Sequence, residues 1–488
     1  MSARSPWLHA GARVVLVGIA ASGVVLGVSR VGADPGDPVV AAAAPTMAAD
    51  LTTSYCPGDP FAGGGKDLPR VDITGATQAR AAPPEVLKDV VTASDEPGEI
   101  TLEELTDTSR AAVDEKPSSG PLSESRGELG ERPIRVRGTQ ERAPGLLATQ
   151  SFTSTRGDVR GLAALPCATP TADAWLVAGG GEAGHQERLV LTNPGGNAVT
   201  ARLTAVGDTD RNAATRSVVV PAHSRSVVLL DAIGGTQAPQ AVHVTTTGGL
   251  VVPTMVDNHL DGLTPAGVET IGQTAAPATR LVLPGTASGS RQGIVVAAPG
   301  DRDAVVQVRR LGTGPARSAQ VVTVPAGQVV DVDLPKAQGL HGLLVESDEP
   351  VVAAARVATT DKAGRSDLAW SVATPSIGTL GGVVLPTAPV KGVRRSVEVA
   401  AADGPATGDV LVLRDGRIST ESFDLEQGRS LVTEVDGASA VWVRPARGRV
   451  HAAALLIGRD GDSRAQATSI PVLPTRVSVR DVSVTQVR

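Results

Sequence analysis

Between residues 200 and 205 the chain alternates strictly. Polar side chains stand at Thr200, Arg202 and Thr204, and apolar ones at Ala201, Leu203 and Ala205. A period of two puts one face in a core and the other in water, which predicts a half-buried strand. Runs of this kind recur down the C-terminal two-thirds of the chain, separated by Pro, Gly and Asp turns about every 8 to 12 residues.

The runs also repeat as a set. Three segments open alike, at Trp175-Leu-Val177, Leu281-Val-Leu-Pro284 and Val383-Val-Leu-Pro386. Each continues with a short apolar strand ending in a turn (Leu189–Pro194, Ile294–Pro299, Val397–Ala401) and an alternating strand (Thr200–Val206, Ala304–Val308, Asp409–Leu413). Paired strands about a small turn follow (Val218–Leu229, Val322–Val332, Phe423–Val432), then a late strand (Leu250–Val256, Val351–Val357, Val450–Leu456). Val220, Val324 and Leu425 mark equivalent points, 104 and 101 residues apart. About seven strands per 100 residues predict an all-β chain of three tandem immunoglobulin/fibronectin-like β-sandwiches, over 145–279, 280–381 and 382–478, with a tail at 479–488. The boundaries near 280 and 382 carry no long linker, so neighbouring sandwiches are expected to pack as a rigid rod, with concave places at the junctions.

The N-terminal third reads differently. Arg4 and Arg13 precede an apolar run from Val14 to Val28, closed by Arg30. This predicts a targeting segment over 1–33: either a retained single-pass plasma-membrane helix with its N-terminus in the cytoplasm, or a signal cleaved near Ala33 with the rest secreted. Residues 34–144 are expected to be a tether with a short arm around Cys56. A strand is expected at Val71–Ile73 and a short helix at Leu102–Leu105. The stretch 78–142 is expected to be a disordered acidic linker, because Asp95–Glu131 holds eleven acids against Arg110, Lys116 and Arg126, a net of -8.

Composition narrows the function. The net charge is -6, which leaves no basic field for nucleic acid. Aromatic residues make up 2% of the chain, too few to build a stacking platform for sugars or bases. The two cysteines, Cys56 and Cys167, most simply form one bridge in an exported chain; the alternative is two buried thiols.

Motifs for chemistry are sparse. Gly63-Gly-Gly65 and Gly179-Gly-Gly181 lack the Lys-Ser/Thr of a phosphate loop, and Ser290 has no histidine near it in sequence. Asp257-Asn-His259-Leu-Asp261 is the best metal-like cluster, since Asp257, His259 and Asp261 could share a face around a cation. The matching stretches, around Asp361 and around Asp460 and Asp462, keep an acid but no histidine, which favours turn chemistry over a metal. His223, His243, His341 and His451 fall singly and read as surface or packing residues. No cofactor, metal or catalytic residue is assigned.

The turn Leu191-Thr-Asn-Pro194, the hairpin Val218-Val-Val-Pro221, the loop Asp261-Gly-Leu-Thr-Pro-Ala-Gly267 and the boundary Leu281-Val-Leu-Pro-Gly285 resemble a family of actinobacterial, membrane-anchored extracytoplasmic proteins known only as a domain of unknown function. The resemblance covers nearly the whole chain. Members of that family are often encoded near cell-envelope glycosyltransferases, so the resemblance implies an envelope location, and it brings no catalytic residue. The expected function is a non-catalytic envelope scaffold that holds a protein partner, such as a membrane glycosyltransferase, at the outer face of the membrane. The alternative is a protein that binds or processes cell-wall carbohydrate.

Overall fold

Alternation and β-branched content carry through into the structure, where strands dominate. The computed structural model describes residues 46–63, 71–92, 94–106, 122–179, 184–206, 214–230, 240–287, 291–337, 339–386, 392–459 and 464–480. Among these, helix is confined to Pro84–Leu87 and a 3-10 turn at Gln140–Arg142. No helix among them is long and apolar enough to cross a membrane. The expected membrane segment 1–33, the start of the tether, Ser290, Asp460, Asp462 and the tail from 481 lie outside the described residues.

Each sequence repeat holds eight strands rather than seven. In the first these are Asp173–Ala178, His185–Asn193, Val199–Val206, Ala214–Val220, Ser224–Leu229, Gln240–Thr247, Val252–Asp261 and Thr264–Ile271. Counted in chain order they form two four-stranded antiparallel sheets, 4-3-6-1 and 5-2-7-8. The second repeat keeps both orders from Ala278–Ala287 to Ser366–Val372. There strands six and seven run together as Leu340–Thr360, which serves one sheet with its first half and the other with its second. The third repeat, from Gly381–Val384 to Ala465–Pro474, has the same orders and joins its two sheets where Gly381 meets Pro474. Paired sheets over apolar cores are consistent with β-sandwiches.

The expected linker is also folded. Leu51–Cys56, Thr74–Arg80, Ile100–Glu104, Ser123–Gly127, Ile134–Thr139, Leu147–Ser154 and Gly161–Pro166 are strands. They pair in the orders Leu51–Ile134–Ile100 and Ser123–Thr74–Leu147–Gly161, naming each by its first residue. These are the repeat orders 3-6-1 and 5-2-7-8, with strand four not seen among the described residues. The segment expected as a disordered spacer is therefore largely a further copy of the repeat, and the module assigned to 145–279 begins at Asp173. Val71–Ile73 precedes a strand rather than forming one, and Leu102 lies in a strand rather than a helix.

The physical reason is that charge summed along the chain hides which face each acid occupies. Ile100, Ile134, Val136 and Leu146 cluster around Cys56 and Cys167 in a small core. Glu103 pairs with Arg135 and Glu104 with Arg126 on the outside. The bridge Cys56–Cys167 forms as expected, with Cα atoms 4.6 Å apart. Tyr55 and Ala168 exchange backbone hydrogen bonds at 2.9 and 3.0 Å beside it.

Residues 47–479 make one compact unit. The repeats do not stack as a rod; their eighth strands converge on a common centre. Asp367, on the eighth strand of the second repeat, is fully buried there. Its Oδ2 accepts the N–H of Leu162 at 2.9 Å and of Ala467 at 2.8 Å, and its Oδ1 accepts those of Val268 at 3.2 Å and Leu368 at 3.0 Å. These donors come one from the eighth strand of each copy, the N-terminal one included. Gly161 makes room for the carboxylate: a Cβ built there would lie 2.1 Å from Oδ1. Burial pushes this carboxyl up and the four N–H groups pull it back.

Two more buried acids bridge repeats. Glu269 accepts from the Thr468 hydroxyl at 3.0 Å and the Ser469 N–H at 3.1 Å, and burial pushes it well above the ordinary carboxylate range. Glu398 of the third repeat accepts the N–H of Gly285 of the second at 2.8 Å, and burial pushes it up to about 7.

Replacing Asp367 by Ala strands four buried donors and is expected to cost at least about 4 kcal/mol in urea unfolding. Asp367→Asn should cost at least half as much, because its amide nitrogen must face two N–H groups. An Asp367→Asn loss below about 1 kcal/mol would contradict this assignment.

Glu398 gives a pH dependence of definite sign. Its folded pKa is raised, so its stabilisation is complete below the ordinary value of 4.5 and is lost as pH rises through about 7. Stability should therefore fall between pH 5 and pH 8, with Glu398 contributing at most roughly 3 kcal/mol. Glu398→Gln, which keeps a neutral hydrogen-bonding side chain, should flatten that slope in part, and an unchanged slope would exclude Glu398 as a cause.

Removing the bridge as Cys56→Ala with Cys167→Ala should lower stability by about 2–5 kcal/mol, read as a drop in melting temperature.

Candidate functional site: a histidine and carboxylate cluster at a polar cleft

Strands two and seven of the first repeat lie antiparallel, and their register sets His185 opposite His259 and Glu187 opposite Asp257. Residues two apart on a strand share a face, so all four side chains emerge together. Asp257 and Glu187 are buried. His185 Nδ1 lies 3.1 Å from Asp257 Oδ1 and 3.6 Å from Glu187 Oε1. The other Asp257 oxygen, Oδ2, accepts the indole N–H of Trp370 at 2.7 Å. Trp370 comes from the eighth strand of the second repeat, so this contact crosses between repeats.

The imidazoles of His185 and His259 stack with ring centroids 3.8 Å apart. Their environments push them in opposite directions. Burial lowers His185, but the hydrogen bond and charge of Asp257, with the charge of Glu187, outweigh it and leave the ring above its ordinary value. His259 is lowered to about 4 by burial first and by neighbouring His185 second. The pair thus holds one ring prone to protonation beside one that stays neutral.

Both histidines open into a cleft of about 650 Å³ between the first and second repeats. Its walls are polar: Asp261 and Thr264 on one side, Arg291, Asp331, Asp333 and Arg356 on the other. Arg356 is tied to Asp331 at 3.0 Å and lies over the Trp370 ring, 5.7 Å from its centroid.

Of the residues singled out in sequence, Asp257 and His259 enter this site and Asp261 reaches only its rim. The expected turn is corrected: Asp257 and His259 lie inside the strand Val252–Asp261, which turns only at Gly262-Leu263. Turn chemistry does hold for Asp361, whose carboxylate accepts the N–H groups of Ala363 and Arg365. His185, Glu187 and Trp370 were missed. A signal existed, because His185-Gln-Glu187 mirrors Asp257-Asn-His259 when two strands run antiparallel. Of the other histidines, His341 and His451 are buried in hydrogen-bonded packing, and His243 stacks on Trp175.

No curated protein matches the chain. Among solved structures, a chain of a 1.5-MDa bacterial ice-binding adhesin aligns at 14% identity over 57% of this chain and 91% of that one, with a TM-score of 0.11. The tetra-tandem repeat from the extending region of a large adhesion protein aligns at 15% over 87% and 98%, also with a TM-score of 0.11. Scores this low carry no argument about the present fold. A family model does match, over residues 123–436, which is more than half of the chain. The protein belongs to DUF5719, a family of unknown function.

Proposed function

We propose that this protein is a non-catalytic, extracytoplasmic scaffold of the cell envelope that holds a protein partner at the outer face of the membrane. The observation that carries this reading is the hub at Asp367, which binds four copies of one repeat into a single body. Such a body presents several sheet faces in fixed relation, as docking requires. The Cys56–Cys167 bridge supports an oxidising compartment. On this reading the N-terminal apolar run anchors or exports the chain, and the partner is an envelope membrane protein, with a glycosyltransferase as the class the family resemblance suggests.

A second reading, binding or processing of cell-wall carbohydrate, is favoured by the polar cleft beside His185 and His259. Against it, the described residues give the cleft no Phe, Tyr or Trp in its lining, and Trp370 lies behind the cluster with 2% of its surface exposed.

Affinity capture of the full chain from detergent-solubilised membranes, followed by titration with envelope glycans, separates the two. The scaffold reading expects one envelope protein to co-purify in stoichiometric amount and no saturable glycan binding. Recovery of no partner, with glycan binding that Arg291→Ala abolishes, would replace it with the carbohydrate reading.

A further inference from the structure

We propose that His185, Glu187 and Asp257 form a binding site for a divalent first-row transition ion, with Zn²⁺ as the favoured occupant. This goes beyond the scaffold reading and does not depend on it.

The donor set has the right chemistry. One imidazole nitrogen and two carboxylate oxygens suit Zn²⁺, and such ions bind mixed nitrogen and oxygen sites most tightly toward the end of the first row. The geometry agrees. The three donor atoms lie within 4.8 Å of one another, with two separations of 3.1 and 3.6 Å. A tetrahedral ion with bonds of about 2.0–2.1 Å sets its ligands about 3.3 Å apart. An ion could therefore enter with small side-chain adjustments and no movement of the two strands.

The surroundings support the donors. Trp370 Nε1–H holds Asp257 Oδ2 and leaves Oδ1 turned toward His185, the outer-shell arrangement that orients ligating carboxylates. Gly179 underlies Glu187: its φ is +79°, and a Cβ built there would lie 2.4 Å from Oε1. Only glycine leaves space for the carboxylate in this position.

Of the three donors only His185 lines the cleft, beside His259, while Glu187 and Asp257 are buried behind it, so the fourth ligand position would lie on the His185 side. A water molecule, or an oxygen from whatever occupies the cleft, can complete the shell. The ion would pin strands two and seven of the first repeat against Trp370 of the second, at the floor of the cleft.

The test uses the full chain, stripped with chelator and titrated with Zn²⁺ by calorimetry, and with Co²⁺ by visible absorption. We expect one ion per chain, a Co²⁺ d–d band of low-coordinate nitrogen and oxygen ligation, and affinity at least about tenfold weaker in Asp257→Asn and Glu187→Gln with circular dichroism unchanged. Histidine ring resonances in the unaltered protein keep the proposal testable if either variant fails to fold: Zn²⁺ should shift His185 before His223, His243, His341 or His451. Absence of stoichiometric binding, undiminished binding in both folded variants, or shifts at other histidines that spare His185 would overturn the site.

Discussion

The carboxylate of Asp367 accepts four backbone N–H groups in a place that water does not reach, and each donor belongs to a different copy of the repeat. Each donor would otherwise be an unpaired buried group costing about 1–3 kcal/mol. The four eighth strands are thus satisfied together, by one side chain. Around this centre Glu269 and Glu398 repeat the device on a smaller scale, each tying one repeat to another. Apolar packing then follows the same seams. The core of the first repeat includes Val295, Val352 and Trp370 of the second, and the core of the third takes in Leu162 and Ala164 from the N-terminal copy.

The periodicity of the sequence exposes strands one to five and seven of each repeat, because their alternation is strong and their turns are marked. Strand eight escapes, for a physical reason. Gly267-Val-Glu-Thr-Ile271, Asp367-Leu-Ala-Trp370 and Gln466-Ala-Thr-Ser-Ile470 are buried on both faces, one of them against polar partners. A strand that meets hydrogen-bonding groups in the interior shows neither alternation nor an apolar run. The N-terminal copy escapes for another reason. Thr74-Gly-Ala-Thr-Gln-Ala-Arg80 is built of small and polar residues, and its neighbours carry enough acid to resemble a solvated spacer. The long-range bridge between Cys56 and Cys167 was legible from cysteine count alone, although what lies between them was not.

The candidate site was half legible. Asp257 and His259 stand out because an acid and a histidine two residues apart share a strand face. Their partners His185 and Glu187 lie some seventy residues earlier, and only strand register brings them across. Trp370 arrives from another repeat altogether. Its position depends on the hub, since it follows Asp367 by three residues on the same strand. The cleft and the approach of Trp370 are consequences of how the repeats converge, so pattern within one repeat cannot show them, whereas the cluster itself needs only the pairing of strands two and seven of the first repeat.

If one carboxylate locks four copies together, the copies should open as one. Native-state hydrogen exchange at the amides of Leu162, Val268, Leu368 and Ala467 reads this directly, because protection reports the free energy of the opening that frees each N–H. The account predicts that all four exchange only through global unfolding, with the same free energy and the same dependence on denaturant. Exchange of Leu162 through a separate, cheaper opening of the N-terminal copy, while the other three stay protected, would contradict it.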